Sequence, residues 1–132
     1  MRLDHVGIAV KDWPQAVDKW REFTGTEPKF EDVSEQGFRV AVFDLGNARI
    51  ELLGETADNS PISGFIKKRG GGIHHIALEV ENIENKMKEA EEMGLELIDK
   101  TPQTGLENKK IAFFHPRSFD YTLVELCGPK ED

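Results

Sequence analysis

Cysteine is almost absent from this chain, with Cys127 the only one in 132 residues. No internal disulfide can form, which excludes a disulfide-stapled secreted scaffold and suits a reducing compartment. Long apolar runs are missing too. None approaches the roughly 20 residues that span a bilayer, and Asp4 and His5 interrupt the stretch where a signal peptide would carry its apolar region. A cytoplasmic protein with no membrane partner is expected. Positive charge is in deficit, with 17 Lys and Arg against 25 Asp and Glu and a net charge of −8. An acidic chain repels a phosphate backbone, so nucleic acid is not an expected partner. Low-complexity tails are also lacking. What is present is an ordinary globular composition, 38% hydrophobic with 12 glycines, on a length that suits one domain spanning residues 1–132.

That domain reads as one unit written twice. His5-Val6-Gly7-Ile8-Ala9-Val10 and His75-Ile76-Ala77-Leu78-Glu79-Val80 stand 70 residues apart, and each precedes a helical pattern. Trp13, Val17, Trp20 and Phe23 recur at helical spacing in the first half; Ile83, Met87, Ala90 and Met93 do so in the second. Asp12 and Asn82 are N-cap residues, Pro14 sits just inside the first helix, and Gly25 and Gly94 mark the ends. β-rich runs follow each helix, at 27–33, 39–45 and 48–53 and then at 96–100, 109–114 and 121–126. Gly46-Asn47 is a hairpin signal between two of them. Each half is thus β-α-β-β-β, giving modules at 1–56 and 72–132. Ser60 as N-cap and Pro61 at the first helical position predict a short linker helix over 60–69, followed by the joint Gly70-Gly71-Gly72. A half of this size is marginal alone, and two such sheets would bury a common face.

The repeat places four chemistry-bearing residues at equivalent positions. His5 and His75 open the first strand of each half, and Glu51 and Glu125 lie on the last strand, 46 and 50 residues later. Taken singly, a strand glutamate usually faces solvent, and a histidine near a terminus is usually surface or satisfied core. Their joint recurrence favours another reading. Two imidazoles and two carboxylates suit a divalent first-row metal, with open positions left for substrate or water. A glutamate facing a closed interior would have to be paired or metal-bound.

Several runs stand in order along the whole chain: Asp4-His5-Val6-Gly7-Ile8-Ala9-Val10, Ile50-Glu51-Leu52-Leu53, Asp58-Asn59-Ser60-Pro61-Ile62, Gly72-Ile73-His74-His75-Ile76-Ala77, His115-Pro116-Arg117-Ser118 and Leu123-Val124-Glu125-Leu126. Together they resemble the methylmalonyl-CoA epimerase family of the vicinal oxygen chelate superfamily, which also holds glyoxalase I and the extradiol dioxygenases. The resemblance implies an α+β fold of two paired βαβββ modules forming a cup-shaped mixed sheet around one divalent metal. By the same resemblance the metal is cobalt in the first place, with nickel, zinc or manganese as alternatives. It implies His5, Glu51, His75 and Glu125 as ligands, a homodimer, and an acyl-CoA thioester substrate. The implied reaction is epimerisation at C2 through a metal-stabilised enolate, with bases on opposite faces.

Some family members carry a glutamate on the preceding strand and a Gln ligand. This chain has Val40 and Glu51 there, so Glu51 is expected to act as both ligand and base, opposite Glu125. His74 is expected to face away from the metal and pack. Lys109, Lys110, His115 and Arg117 are the expected substrate-binding residues, with Lys67, Lys68 and Arg69 as a second basic cluster. Two segments, 104–108 and 119–122, depart from the family pattern near the expected substrate entry. Two other functional readings stand beside the epimerase. One is a glyoxalase I-like lyase acting on a thiol adduct. The other is a non-catalytic binding protein of the same superfamily, which retention of all four residues argues against.

Overall fold

A computed structural model describes residues 1–130, so the last two residues of the second expected module lie outside the described residues. The chain divides into two compact units, His5–His74 and Met1–Asp4 with the chain from His75 onward. The divisions fall inside strands rather than in the linker. Each unit follows the β-α-β-β-β plan.

In the first, β1 (Arg2–Ala9) leads to α1 (Trp13–Thr24), then β2 (Lys29–Val33), β3 (Phe38–Asp44) and β4 (Arg49–Glu55). The strand order is β2-β3-β4-β1. β1 pairs with β4 in parallel and the other pairs are antiparallel. Asp12 caps α1 by accepting from the Gln15 amide at 3.1 Å, and Gly25, in the left-handed region, closes it. Val17, Ala41, Phe43 and Leu52 form the core between helix and sheet. Phe23 is 88% exposed. At 3.6 residues per turn it lies roughly 80° from Trp13, off the buried stripe. The β3–β4 hairpin turns at Gly46 as expected, with the Leu45 amide donating to the Ala48 carbonyl at 3.0 Å.

The linker helix, α2, spans Ser63–Arg69 and begins later than expected. Ser60 does not cap it. Its hydroxyl accepts from the Ile62 amide at 3.3 Å and shares a bond with Ser63 Oγ at 2.8 Å, closing a turn ahead of the helix.

The second unit holds β5 (Gly72–Glu79, from His75), α3 (Ile83–Glu92), β6 (Gln103–Thr104), β7 (Lys109–Phe113) and β8 (Val124–Lys130), in the order β5-β8-β7-β6. Asn82 caps α3 through the Asn85 amide at 2.9 Å. Ile83, Met87 and Ala90 pack on Ala112, Phe114, Val124 and Leu126, while Met93 lies past the helix and is exposed. The strand expected over 96–100 is not formed. Only a single bridge, Leu97 to Phe114, survives there, because Asp99 turns inward and takes the Phe113 amide on its carboxylate at 2.7 Å. The run expected from residue 121 starts at Val124 instead, since Asp120 and Tyr121 both adopt positive φ in a turn. Among the described residues no helix is long and apolar enough to cross a membrane.

Candidate active site

Each unit builds one buried imidazole–carboxylate pair. In the first, Glu51 stands on β4 directly across from Gly7 of β1, in parallel register. Gly7 carries no side chain, and the carboxylate meets His5, two residues earlier: Nδ1 lies 3.3 Å from Oε2. In the second, Glu125 of β8 stands across from the equally small Ala77 of β5, and His75 Nε2 lies 3.4 Å from Glu125 Oε1. The four residues are only 5–6% exposed. The two histidines do not open their strands, as the sequence implied; β1 and β5 begin three residues earlier. A charged carboxylate is costly to bury without a partner, and each histidine supplies one to its glutamate.

Apolar walls surround both pairs. Val42 is the antiparallel partner of Glu51, and Val40, opposite Leu53, shares its face. Both valines are buried, so the β3 residue directly opposite Glu51 is neither an acid nor a base. Phe113 of β7 stands opposite Glu125 and meets the His75 ring edge-on, with centroids 5.9 Å apart and planes at 80°. Sequence reasoning missed Phe113, Gly7 and Ala77 as parts of the site. Their signal was present, since Phe113 alternates with the buried Ala112 and Phe114. His74 packs as expected, its ring 5.2 Å from that of Phe65, and burial holds its pKa below the usual histidine value.

The four expected substrate-binding residues are all engaged. Lys109 Nζ lies 3.4 Å from Asp4, and both side chains are largely buried. Lys110 Nζ donates to Glu84 of α3 at 2.7 Å, and that bond holds the Glu84 pKa down. Arg117 pairs with Glu96 at 3.0 Å, both well exposed. His115 Nδ1 accepts from the Arg117 amide at 3.2 Å, capping the turn Pro116–Phe119. Lys67, Lys68 and Arg69 occupy the last turn of α2, where cations complement the negative helix end; Arg69 lies over the Phe65 ring.

Two βαβββ units, each with a buried His–Glu pair, define a class. The chain belongs to the Glyoxalase/Bleomycin resistance protein/Dioxygenase superfamily, whose family profile matches residues 4–113. Within that class the relatives are more specific. The ethylmalonyl-CoA/methylmalonyl-CoA epimerase of Cereibacter sphaeroides is 39% identical over 95% of this chain and 96% of its own. A crystal structure of a hypothetical protein from Bacillus halodurans C-125 superposes with a TM-score of 0.93, at 39% identity over 99% of this chain and 96% of that one. A Streptomyces coelicolor methylmalonyl-CoA epimerase variant, in complex with 2-nitronate-propionyl-CoA, gives a TM-score of 0.90 at 29% identity and covers 99% of both chains. The fold that the resemblance implied is the fold of these structures.

Proposed function

We propose that this chain epimerises methylmalonyl-CoA at C2. The observation that carries the reading is the duplicated, buried His–Glu pair in a chain so similar to epimerases of that substrate. Glu51 and Glu125 are the bases. One carboxylate takes the C2 proton, leaving a planar enolate conjugated with the thioester. The acid form of the other returns a proton to the opposite face. Exchange with water then restores both groups. Val40, Val42 and Phe113 give the two carboxylates apolar neighbours, which limits the water that can compete for the transferred proton. The ligand in the Streptomyces complex supports this chemistry, because a nitronate, like an enolate, has a planar carbon and carries its negative charge on oxygen.

The donor set fits a divalent metal. His5, Glu51, His75 and Glu125 would hold it, and cobalt, nickel, zinc or manganese would each accept such nitrogen and oxygen ligands. When bound, the metal supplies Lewis-acid stabilisation of developing negative charge on oxygen. For the CoA phosphates, Lys110 and Arg117 are the best placed of the four candidates. Their ion pairs are exposed, and such pairs are worth only about 0–1 kcal/mol, so a phosphate can displace the acid. Lys109 holds Asp4 in a largely buried pair and His115 holds a turn, so both contribute chiefly by shaping the surroundings.

The test is proton–deuterium exchange at C2 of methylmalonyl-CoA, with and without a chelator. Chelator-sensitive exchange and inversion support the proposal; a metal-loaded protein that leaves C2 untouched refutes it. Sedimentation of the same sample tests the homodimer that the resemblance implies.

A further inference from the structure

Asp99 is a buried carboxylate that the mechanism above leaves unused. It sits where the sequence predicts a strand and none forms. One of its oxygens, Oδ2, accepts from the Phe113 amide at 2.7 Å. The other, Oδ1, accepts from the Gln103 side chain. Next to it, the Ile98 amide donates to the Phe113 carbonyl at 2.8 Å. Both backbone polar groups of Phe113 are therefore held by residues 98 and 99.

β-Sheet geometry explains why. Phe113 and Glu125 are directly opposite in antiparallel register, and the Phe114 amide bonds the Val124 carbonyl. Phe113 thus occupies a non-hydrogen-bonded position, with its own N–H and C=O pointing away from β8. In such pairs the side chains come closest, with Cα atoms about 4.5 Å apart. The Phe113 ring therefore stands beside Glu125 while its edge-on contact fixes the plane of His75.

We infer that Asp99 is a positioning residue: by clamping the Phe113 backbone it sets the ring that orients His75 and flanks Glu125. The inference rests on the reading of His75 and Glu125 as part of the reaction site. Groups that orient a metal ligand from outside typically matter 10–100-fold in metal affinity or activity.

The experiment compares the full chain with Asp99→Ala, Asp99→Asn, Phe113→Leu and the Asp99→Ala/Phe113→Leu double variant. All are assayed below their melting transitions as followed by circular dichroism. Three readouts are used: cobalt(II) titration of the metal-free protein followed by visible absorption, kcat and KM for C2 exchange, and the NMR shifts of the His75 ring protons without metal. Asp99→Ala is expected to weaken cobalt binding and lower kcat by about tenfold or more, with KM little changed. His75 ring signals should move toward their Phe113→Leu positions as the ring current of Phe113 is lost. Asp99→Asn keeps an oxygen for the Phe113 amide and should recover most of the loss. The double variant should be no worse than Phe113→Leu.

Unaltered His75 signals in Asp99→Ala would overturn the inference, as would losses that multiply in the double variant. If the unmutated chain binds no cobalt and exchanges no proton, the functional proposal fails instead. The NMR comparison still decides the role of Asp99 in that case.

Discussion

The two units share one plan and differ in how each fastens its helix to its sheet. In the first, α1 opens with Trp13, whose indole N–H donates to the Leu52 carbonyl at 3.0 Å. Its ring lies so close to β4 that a Cβ on Gly54 would fall 2.6 Å from it. In the second, α3 opens with the smaller Ile83, which a Cβ on the equivalent Gly128 would meet at 3.6 Å. There an ion pair, Lys110 with Glu84, spans sheet and helix instead. The site-bearing faces diverge far less. Each keeps His on one strand and Glu on its parallel neighbour, with Gly or Ala opposite the carboxylate. Packing has many solutions, whereas placing an imidazole against a buried carboxylate has few.

The strongest way to break the comparison is to remove one base at a time. If the units act on opposite faces of C2, Glu51→Gln and Glu125→Gln should each lower epimerisation by about 10²–10⁴-fold, the range of general acid–base catalysis. Each variant should retain deuterium wash-in from one epimer only, and the two should prefer opposite epimers. Stereochemically resolved exchange by NMR reads this directly. Two variants that favour the same epimer would show that the glutamates do not divide the faces between them.

Next in size is a pair of glycine substitutions at matching positions. Gly54→Ala must displace the Trp13 ring, and overpacking of this kind costs about 1–3 kcal/mol. Gly128→Ala meets only ordinary van der Waals contact and should be close to neutral. Urea unfolding of both variants tests the asymmetry; equal losses would mean that the Trp13 contact carries no special constraint.

How much of this was readable from sequence follows the same division. Residues whose role is local were legible, such as the Asp12 and Asn82 caps, the Gly46 turn and the Val17 and Met87 faces. The His and Glu positions were legible because duplication marked them twice. The start of the linker helix was not, since Ser60 had two local partners and propensity could not choose between them. The missing strand at 96–100 was not, because one tertiary bond, from the Phe113 amide to Asp99, replaced strand pairing. Val40 and Val42 were read as strand, but their part as walls to Glu51 follows only from register.

A smaller effect separates the units in their turns. Every residue of positive φ in His5–His74 is a glycine, whereas the second unit places Glu107, Asn108, Asp120 and Tyr121 there. Left-handed backbone costs an ordinary residue roughly 1–2 kcal/mol, while glycine brings an unfolded-state penalty of about 0.5–1 kcal/mol. Tyr121→Gly, at φ 65 and on the surface, should therefore stabilise the chain by about 0.5–1 kcal/mol. Gly25→Ala, at φ 66 with open space around it, should destabilise by a similar amount. Melting temperatures moving in opposite directions would sustain the contrast; a loss at Tyr121 would show that its ring does more than tolerate the turn.

The least effect is expected at the Lys110–Glu84 fastening, and its signature is pH rather than size. The hydrogen bond from Lys110 lowers the Glu84 pKa below its ordinary 4.5. A depressed carboxylate pKa stabilises the fold above the unfolded value, and that contribution disappears as pH falls through the folded value. The stability difference between the unmutated chain and Lys110→Met should thus be present near neutrality and vanish in acid below the glutamate range. Both partners are partly exposed, so high salt should shrink it as well. Trp13→Phe, which removes the indole bond of the first unit, involves no titrating group and should show neither dependence. Urea midpoints at two pH values and two salt concentrations distinguish the cases. A Lys110→Met deficit that persists in acid would assign the residue's contribution to its packed alkyl stem instead of its charge.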